Sequence, residues 1–137
     1  MVKVICGPQG SGKTRQLIDS CNLASESAKG NVVYVTDSSN YTYQVKIEVR
    51  HINVLEYGIS NMDQLKGFLA GLLAGNSDIE YIYLDRARRI SGCLLTDMEE
   101  FYNTLEDYAK RFDVKFVLTA SAELDKIPEF LKKFVSK

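Results

Sequence analysis

Short apolar runs rich in β-branched residues alternate along this chain with longer segments of helical periodicity. Strands that are separated by helices pair in parallel, because each crossover returns the chain to the same edge of the sheet. The alternation therefore predicts an α/β fold, a three-layer α-β-α sandwich with a mostly parallel central sheet. The predicted strands are residues 2–6, 31–36, 52–57, 79–85 and 114–119, and the predicted helices are residues 13–28, 60–75, 96–112 and 124–134.

Residues 41–50, between the second and third of these strands, carry a different pattern. Apolar side chains such as Tyr41, Val45 and Val49 alternate with polar ones such as Lys46 and Arg50. This is the period of a strand with one solvated face, and a helical stripe fits less well because many of these residues are β-branched. The pattern predicts an exposed strand here.

The length and composition limit the class of protein. The chain has 137 residues, 45% of them apolar and 26% charged, which predicts one globular domain over residues 1–137. The net charge of −1 offers no overall attraction to nucleic acid or to a membrane surface, although a local basic patch stays open. No apolar run is long enough to span a bilayer, and no signal-peptide pattern follows Met1.

The cysteines Cys6, Cys21 and Cys93 are far apart in the sequence, with no Cys-x-x-Cys pair. An odd number at such spacing argues against a disulfide framework and against a zinc site. Reduced, partly buried thiols are typical of the cytoplasm, so a cytoplasmic location is expected.

A glycine-rich octamer joins the first predicted strand to the first predicted helix. Its glycines let successive backbone N–H groups curl around a phosphate, and the helix start adds free N–H groups and the positive end of its dipole. Lys13 offers an ammonium to the β- and γ-phosphates and is expected to assist catalysis, and Thr14 offers a hydroxyl to Mg²⁺. A flexible glycine turn at a helix start is the alternative. The predicted phosphate-binding residues are Gly7, Pro8, Gln9, Gly10, Ser11, Gly12, Lys13 and Thr14.

The octamer matches G-x-x-x-x-G-K-[ST] at every fixed position and resembles the Walker A element of the P-loop nucleoside triphosphatases. The resemblance implies ATP and Mg²⁺ as ligands, together with a second acid at the end of an apolar strand that helps to hold the metal. Asp85, which ends the run YIYLD, fits that description, and a turn aspartate is the alternative. Thr14 and Asp85 are thus the expected metal residues, and Asp85 is also an expected catalytic residue.

The order of the strands resembles the RecA-like and AAA-like branch of that superfamily, in which an additional strand lies between the two Walker strands. In that branch a polar residue at the end of the later strand senses the γ-phosphate. Thr119 or Ser121 would occupy that place here, and a strand-to-helix turn or a helix cap is the alternative role.

The catalytic carboxylate departs from the family pattern. Many members of this branch have Glu directly after the Walker B Asp, whereas this chain has Arg86. RecA-like members use an acid at the end of the second strand, a place that Asp37 matches, so Asp37 is the expected base. Asp37 also opens an Asp-Ser-Ser-Asn turn, where local hydrogen bonding is the alternative. Hydrolysis is expected to be slow, or to depend on a protein partner or a second copy of the chain.

Three arginines crowd the segment that follows Asp85. They could clamp phosphate, reach the nucleotide of a neighbouring subunit or contact a nucleic acid backbone. The alternative is a solvated loop that forms salt bridges with nearby acids. The arginines are Arg86, Arg88 and Arg89, and the acids are Asp97, Glu99 and Glu100.

Three functions stay open. The leading one is a Mg²⁺-dependent ATPase or ATP-dependent switch of the RecA/AAA-like type. The second is a kinase for a nucleoside or another small molecule, since the octamer also resembles the opening of the type II thymidine kinases, although their zinc-binding cysteines are not visible here. The third is a nucleotide-binding module without turnover. GTPase switching is disfavoured because the sequence has no Asn-Lys-x-Asp element for guanine recognition.

Overall fold

A computed structural model of the chain describes residues 1–135 and shows an α/β fold around a parallel sheet. Its strands lie in the order β1-β5-β4-β2-β3, and each described pair of neighbours is parallel, which confirms the predicted class of sheet. The strands are β1 (Val2–Gly7), β2 (Asn31–Thr36), β3 (Arg50–Asn53), β4 (Ile79–Leu84) and β5 (Lys115–Ser121).

Helices cover both faces of the sheet. Alternate residues of the buried strands point to opposite faces, so that Tyr34 of β2 packs with α1 while its neighbour Val35 packs with α2 and α4. The result is two apolar clusters, one on each face, consistent with a three-layer sandwich. The helices are α1 (Lys13–Ser27), α2 (Met62–Gly75), α3 (Ala87–Ser91) and α4 (Glu99–Phe112).

The topology brings the candidate residues to one edge. Parallel strands end at the same side of the sheet, so the glycine-rich loop after β1, Asp37 after β2 and Asp85 after β4 share that side with the end of β5. Strand β5 lies between β1 and β4. Thr119, near the end of β5, therefore lies between the loop and Asp85.

The exposed strand predicted for residues 41–50 is wrong. The segment forms a 3₁₀ turn at Thr42–Gln44 and is held on α1 by Asn22, whose amide nitrogen donates to the Gln44 carbonyl (2.8 Å) and whose oxygen accepts from the Lys46 N–H (2.9 Å). Val45 and Val49 are buried against α1. The alternation thus reflects a loop with buried anchors.

Other boundaries also differ from the predictions. Strand β3 begins at Arg50, and a 3₁₀ turn at Val54–Tyr57 replaces the second half of the strand predicted there. The closing helix is replaced by 3₁₀ turns at Leu124–Lys126 and Glu129–Phe134, the second of which starts after Pro128.

The helix starts differ in a similar way. Helix α2 begins after Asn61, whose side chain accepts from the Gln64 N–H at 2.9 Å. Helix α4 begins after Met98 without a side-chain cap from the described chain, so it starts at Glu99 and not at residue 96 as predicted. Helix α3 has no counterpart in the prediction.

The cysteines Cys6, Cys21 and Cys93 are free thiols, as expected. Among residues 1–135, no helix combines the length and the apolar character that crossing a membrane requires.

Candidate functional site at the carboxyl edge of the sheet

The glycine-rich loop is curled by two residues in the left-handed region. Gly10 has φ +82° and Gly12 has φ +86°, a conformation that side chains with a Cβ rarely adopt. Gly12 directly precedes α1, and within the described chain no side chain caps the first turn of that helix. The first turn of α1 therefore keeps N–H groups without a side-chain partner among residues 1–135, and the positive end of the helix lies beside the loop.

Lys13, the first residue of α1, bends back over this loop. Its Nζ donates to the Pro8 carbonyl at 2.8 Å, and the residue is 9% exposed. The ammonium is thus fixed above the loop on which a phosphate would lie.

Asp85 is the centre of a buried hydroxyl network. Its Oδ2 accepts from Thr14 Oγ1 at 2.8 Å and its Oδ1 accepts from Thr119 Oγ1 at 2.6 Å. Thr119 in turn accepts the N–H of Arg86 at 3.1 Å. Asp85 is 1% exposed. The structure therefore joins the two expected metal residues directly, and Thr119 supports Asp85 from within β5 rather than capping a helix.

Asp37 lies between two guanidinium groups. Its Oδ1 is 3.0 Å from Arg86 Nε and its Oδ2 is 3.0 Å from Arg89 Nε. The hydrogen bond of the local turn is made by Ser38 instead, whose hydroxyl accepts the Asn40 N–H at 3.0 Å. The turn role considered for Asp37 is therefore wrong, and its role as a base stays a prediction.

These ion pairs differ from the salt bridges that the sequence offers as the alternative role of the arginines. Arg86 and Arg89 pair with Asp37, which follows β2, and not with the acids at the start of α4. Sequence reasoning missed this pairing because the partners are distant in the chain. The predicted parallel sheet indicates part of this pairing, because it places the ends of β2 and β4 at one edge.

Two groups beside the site have raised pKa values. Burial raises the pKa of the Cys6 thiol on β1, and the nearby Lys13 ammonium opposes that shift. Burial, followed by the carboxylate of Asp85, raises the pKa of Tyr34. The site thus borders a poorly solvated layer in which charge interactions are strong.

A cavity of about 560 Å³ opens above this edge of the sheet. Its walls come from the loop, α1, the turn after β2, α3 and the end of β5. Asp85 is the acid in the lining, and five of the lining residues are basic. An oxygen-rich polyanion is the ligand that this charge balance favours. The lining residues are Gln9, Gly10, Gly12, Lys13, Thr14, Arg15, Ile18, Tyr41, Gln44, Asp85, Arg86, Arg88, Arg89, Thr119, Ala120 and Ser121.

Some lining residues were not predicted. Tyr41 and Gln44 reach the cavity because the segment after β2 is a turn on α1 rather than a strand. Arg15, which directly follows Thr14, lines the cavity as well. Three residues of the octamer do not line the cavity, namely Gly7, Pro8 and Ser11.

The donor set suits a hard cation that keeps water and substrate oxygens as ligands. Thr14 supplies a hydroxyl and Asp85 a carboxylate, the oxygen donors that Mg²⁺ takes. Nowhere in residues 1–135 do three His, Cys, Asp or Glu side chains form a site that could hold a metal by themselves. A metal here would depend on a bound phosphate to complete its shell.

No protein-family model matches this chain, and no curated protein matches it significantly.

Proposed function

We propose that this chain binds ATP with Mg²⁺ at the carboxyl edge of its sheet and acts as an ATPase or ATP-dependent switch of the RecA/AAA-like P-loop type. The observation that carries the proposal is the 2.8 Å contact between Thr14 and Asp85. It unites the hydroxyl that ends the glycine-rich octamer with the acid that ends an apolar strand. Those are the two residues that a magnesium nucleotide requires in such a site.

The loop supports the same ligand. Gly10 and Gly12 adopt positive φ values, α1 starts without a side-chain cap from the described residues, and Lys13 lies over the curl. The chain thus offers backbone N–H groups, a helix dipole and an ammonium to one anion. The alternative, a flexible glycine turn without a ligand, would not account for these features together with a cavity whose charged lining residues are five basic ones and one acid.

The sheet order supports the branch. Strand β5 lies between β1 and β4, where the RecA/AAA-like branch has its additional strand. Thr119 on β5 reaches Asp85, and we assign it to the ligand-sensing position of that branch.

The site offers separate residues to the phosphates of ATP and to Mg²⁺. The octamer and Thr119 would face the phosphates, while Thr14 and Asp85 would hold Mg²⁺. When bound, Mg²⁺ would neutralise charge on the β- and γ-phosphate oxygens. Lys13 would balance a further charge of the same phosphates.

Arg86 and Asp37 bear on whether the bound nucleotide is turned over. Arg86 stands where related ATPases carry glutamate, and Asp37 is engaged by two guanidinium groups. A carboxylate held by two guanidinium groups is not free to orient an attacking water. This observation favours slow hydrolysis, a partner or second copy that completes the site, or, as the second candidate function, nucleotide binding without turnover.

Nucleotide binding is tested by calorimetry and thermal unfolding. Wild-type protein with Mg²⁺ and ATP at about 100 times Kd should gain about 2.7 kcal/mol of stability. Lys13→Ala should lose most of this gain, while Lys66→Ala, which removes a surface lysine paired with Glu100, should keep it. Equal stabilisation of wild type and Lys13→Ala would refute the proposed site.

Turnover is tested by following the γ-phosphate. Release of inorganic phosphate indicates an ATPase, and transfer to a nucleoside pool indicates the kinase alternative. Tight ATP binding with neither product indicates a module without turnover.

A further inference from the structure

Two side-chain nitrogen atoms of Arg86 are buried without a hydrogen-bond acceptor among the described residues. Its Nε and Nη2 are buried and make no hydrogen bond to any part of the described chain. The Nε is 3.0 Å from Asp37 Oδ1, but the N–H is not aligned with that oxygen, which likewise lacks a partner within residues 1–135. Buried polar atoms of this kind are rare in folded proteins, and a functional role is one explanation for them.

The guanidinium lies next to the expected metal residues. Arg86 Nε is 3.9 Å from Asp85 Oδ2, the oxygen that accepts from Thr14. In the proposed function Thr14 and Asp85 would hold a metal ion that neutralises charge on the terminal phosphates. The head of Arg86 is then beside the last phosphate, on the β2 side of the site where Asp37 stands.

The backbone of Arg86 is constrained to present this side chain. Its φ is +61° and its ψ is +42°, a left-handed conformation that is uncommon outside glycine. The Arg86 N–H is held by Thr119 Oγ1, and α3 starts immediately afterwards. A strained backbone retained at a site indicates a functional demand on that residue.

We infer that Arg86 is a ligand of the terminal phosphate, supplied by the same chain, and that Asp37 is the residue that positions it. This inference rests on the proposed function and deepens it, because it makes the site selective for a nucleoside triphosphate over a diphosphate. Asp37 faces the Nε edge of the guanidinium, and Arg86 also lines the cavity, where a phosphate oxygen would reach it. Arginine suits this task since its planar fork binds phosphate through more than one N–H.

The neighbouring arginines fit the role less well. The Arg89 side chain is 70% exposed and pairs with the other oxygen of Asp37, whereas the Arg86 side chain is 30% exposed. Arg88 lines the cavity, and the described residues give it no ion pair. An exposed arginine adds general attraction for any anion, whereas an arginine held in one orientation, as Arg86 is by Asp37, can distinguish a triphosphate from a diphosphate.

The test compares two ligands by calorimetry, the β,γ-imido analogue of ATP and ADP, each with Mg²⁺. Arg86→Gly is the main variant, because glycine accepts the left-handed backbone and Asp37 keeps Arg89 as a partner. Arg86→Lys is the second variant, which keeps the charge and loses the fork. Arg88→Ala tests general charge, and Arg111→Ala, on the exposed side of α4, is the remote control.

The expected result is selective. Arg86→Gly should weaken binding of the ATP analogue by about 10- to 100-fold and change ADP binding by less than about 3-fold. Arg86→Lys should recover only part of the loss, and Arg88→Ala should weaken both ligands by the same factor.

Three results would overturn the inference. Arg86→Gly could affect both ligands equally, affect neither, or show a loss that Arg88→Ala reproduces. Failure of the proposed function looks different, because wild-type protein would then bind neither nucleotide.

Discussion

The hydroxyl of Thr14 donates to Asp85 Oδ2 over 2.8 Å, although 71 positions separate the two residues in the sequence. Strand β5 lies between β1 and β4, the strands that precede these two residues in the sequence, and Thr119 on β5 donates to the other oxygen of Asp85 at 2.6 Å. One buried carboxylate thus ties the loop after β1 to the ends of β4 and β5. The same carboxylate has a structural role and, in the proposed function, a chemical one.

Asp85→Asn should remove most of the effect of Mg²⁺ on nucleotide affinity. Asparagine keeps the shape of the side chain and loses the negative charge that attracts the cation. Mg²⁺ raises the affinity of wild type for ATP by a certain factor. We expect that factor to be smaller in the variant by about tenfold or more. Calorimetry with Mg²⁺ and with EDTA measures this, with Asp97→Asn as the control. A magnesium effect of unchanged size would refute the metal role of Asp85.

Thr119→Val should destabilise the fold by about 1–3 kcal/mol. Valine has nearly the same shape, but it leaves the Arg86 N–H without its acceptor and removes a donor to Asp85. Urea unfolding measures the change. Thr104→Val is the control, because its hydroxyl bonds to the Glu100 carbonyl on the exposed side of α4, and we expect about 0.5 kcal/mol or less there. Equal losses in the two variants would show that the Thr119 network adds no stability.

Asp37→Asn should destabilise the protein by about 1–2 kcal/mol, because two guanidinium groups lose their shared counter-charge. The value is kept small since Arg89 is 70% exposed and Arg86 30% exposed, so that solvent screens both. Urea unfolding of Asp37→Asn, Arg89→Gln and the double variant measures the coupling, for which we expect about 0.5–1 kcal/mol. Strictly additive losses would mean that the close approach of Arg89 to Asp37 contributes nothing.

The sequence predicts the parallel sheet and the curled glycine-rich loop well, because both depend on local patterns. The octamer fixes its own curl through Gly10 and Gly12, and Asp85 follows from the apolar run before it. Residues 41–50 were misread because Val45 and Val49 anchor a loop on α1 with the same alternation that a strand would show. The ion pairs of Asp37 with Arg86 and Arg89 depend on how strands are ordered in space, and no local pattern encodes that order.

Glu80 should make the fold more sensitive to acid. Its carboxylate accepts the N–H groups of Gly30 (2.9 Å) and Lys29 (3.0 Å), and these bonds, that of Gly30 first, hold its pKa below the ordinary value of 4.5. The stability that Glu80 adds is therefore fully present above its ordinary pKa, and is lost as the pH falls through the lower folded-state pKa. Glu80→Gln should thus lose less stability than wild type between pH 6 and about pH 3. Chemical unfolding across this range measures the difference, with the exposed Glu123→Gln as control. Parallel pH curves for wild type and Glu80→Gln would contradict the assignment.

Two glycine substitutions should act in opposite directions. Gly71 lies in the interior of α2 on its exposed side, and a Cβ there would meet no atom within 4 Å. Gly71→Ala should stabilise the fold by about 0.5–1 kcal/mol, because alanine loses less backbone entropy in a helix. Gly12 also has open space, but its φ of +86° is unfavourable for alanine, so Gly12→Ala should destabilise by about 1–2 kcal/mol.

The same pair separates stability from ligand binding. Gly71→Ala should leave nucleotide affinity unchanged, since α2 contributes no residue to the cavity wall within the described chain. Gly12→Ala should weaken it, because relieving the strain turns backbone N–H groups away from the phosphate position. Urea unfolding and calorimetry on both variants provide the four values. A stable Gly12→Ala variant with wild-type affinity would show that the left-handed loop is not required for binding, and the phosphate site proposed here would then be untenable.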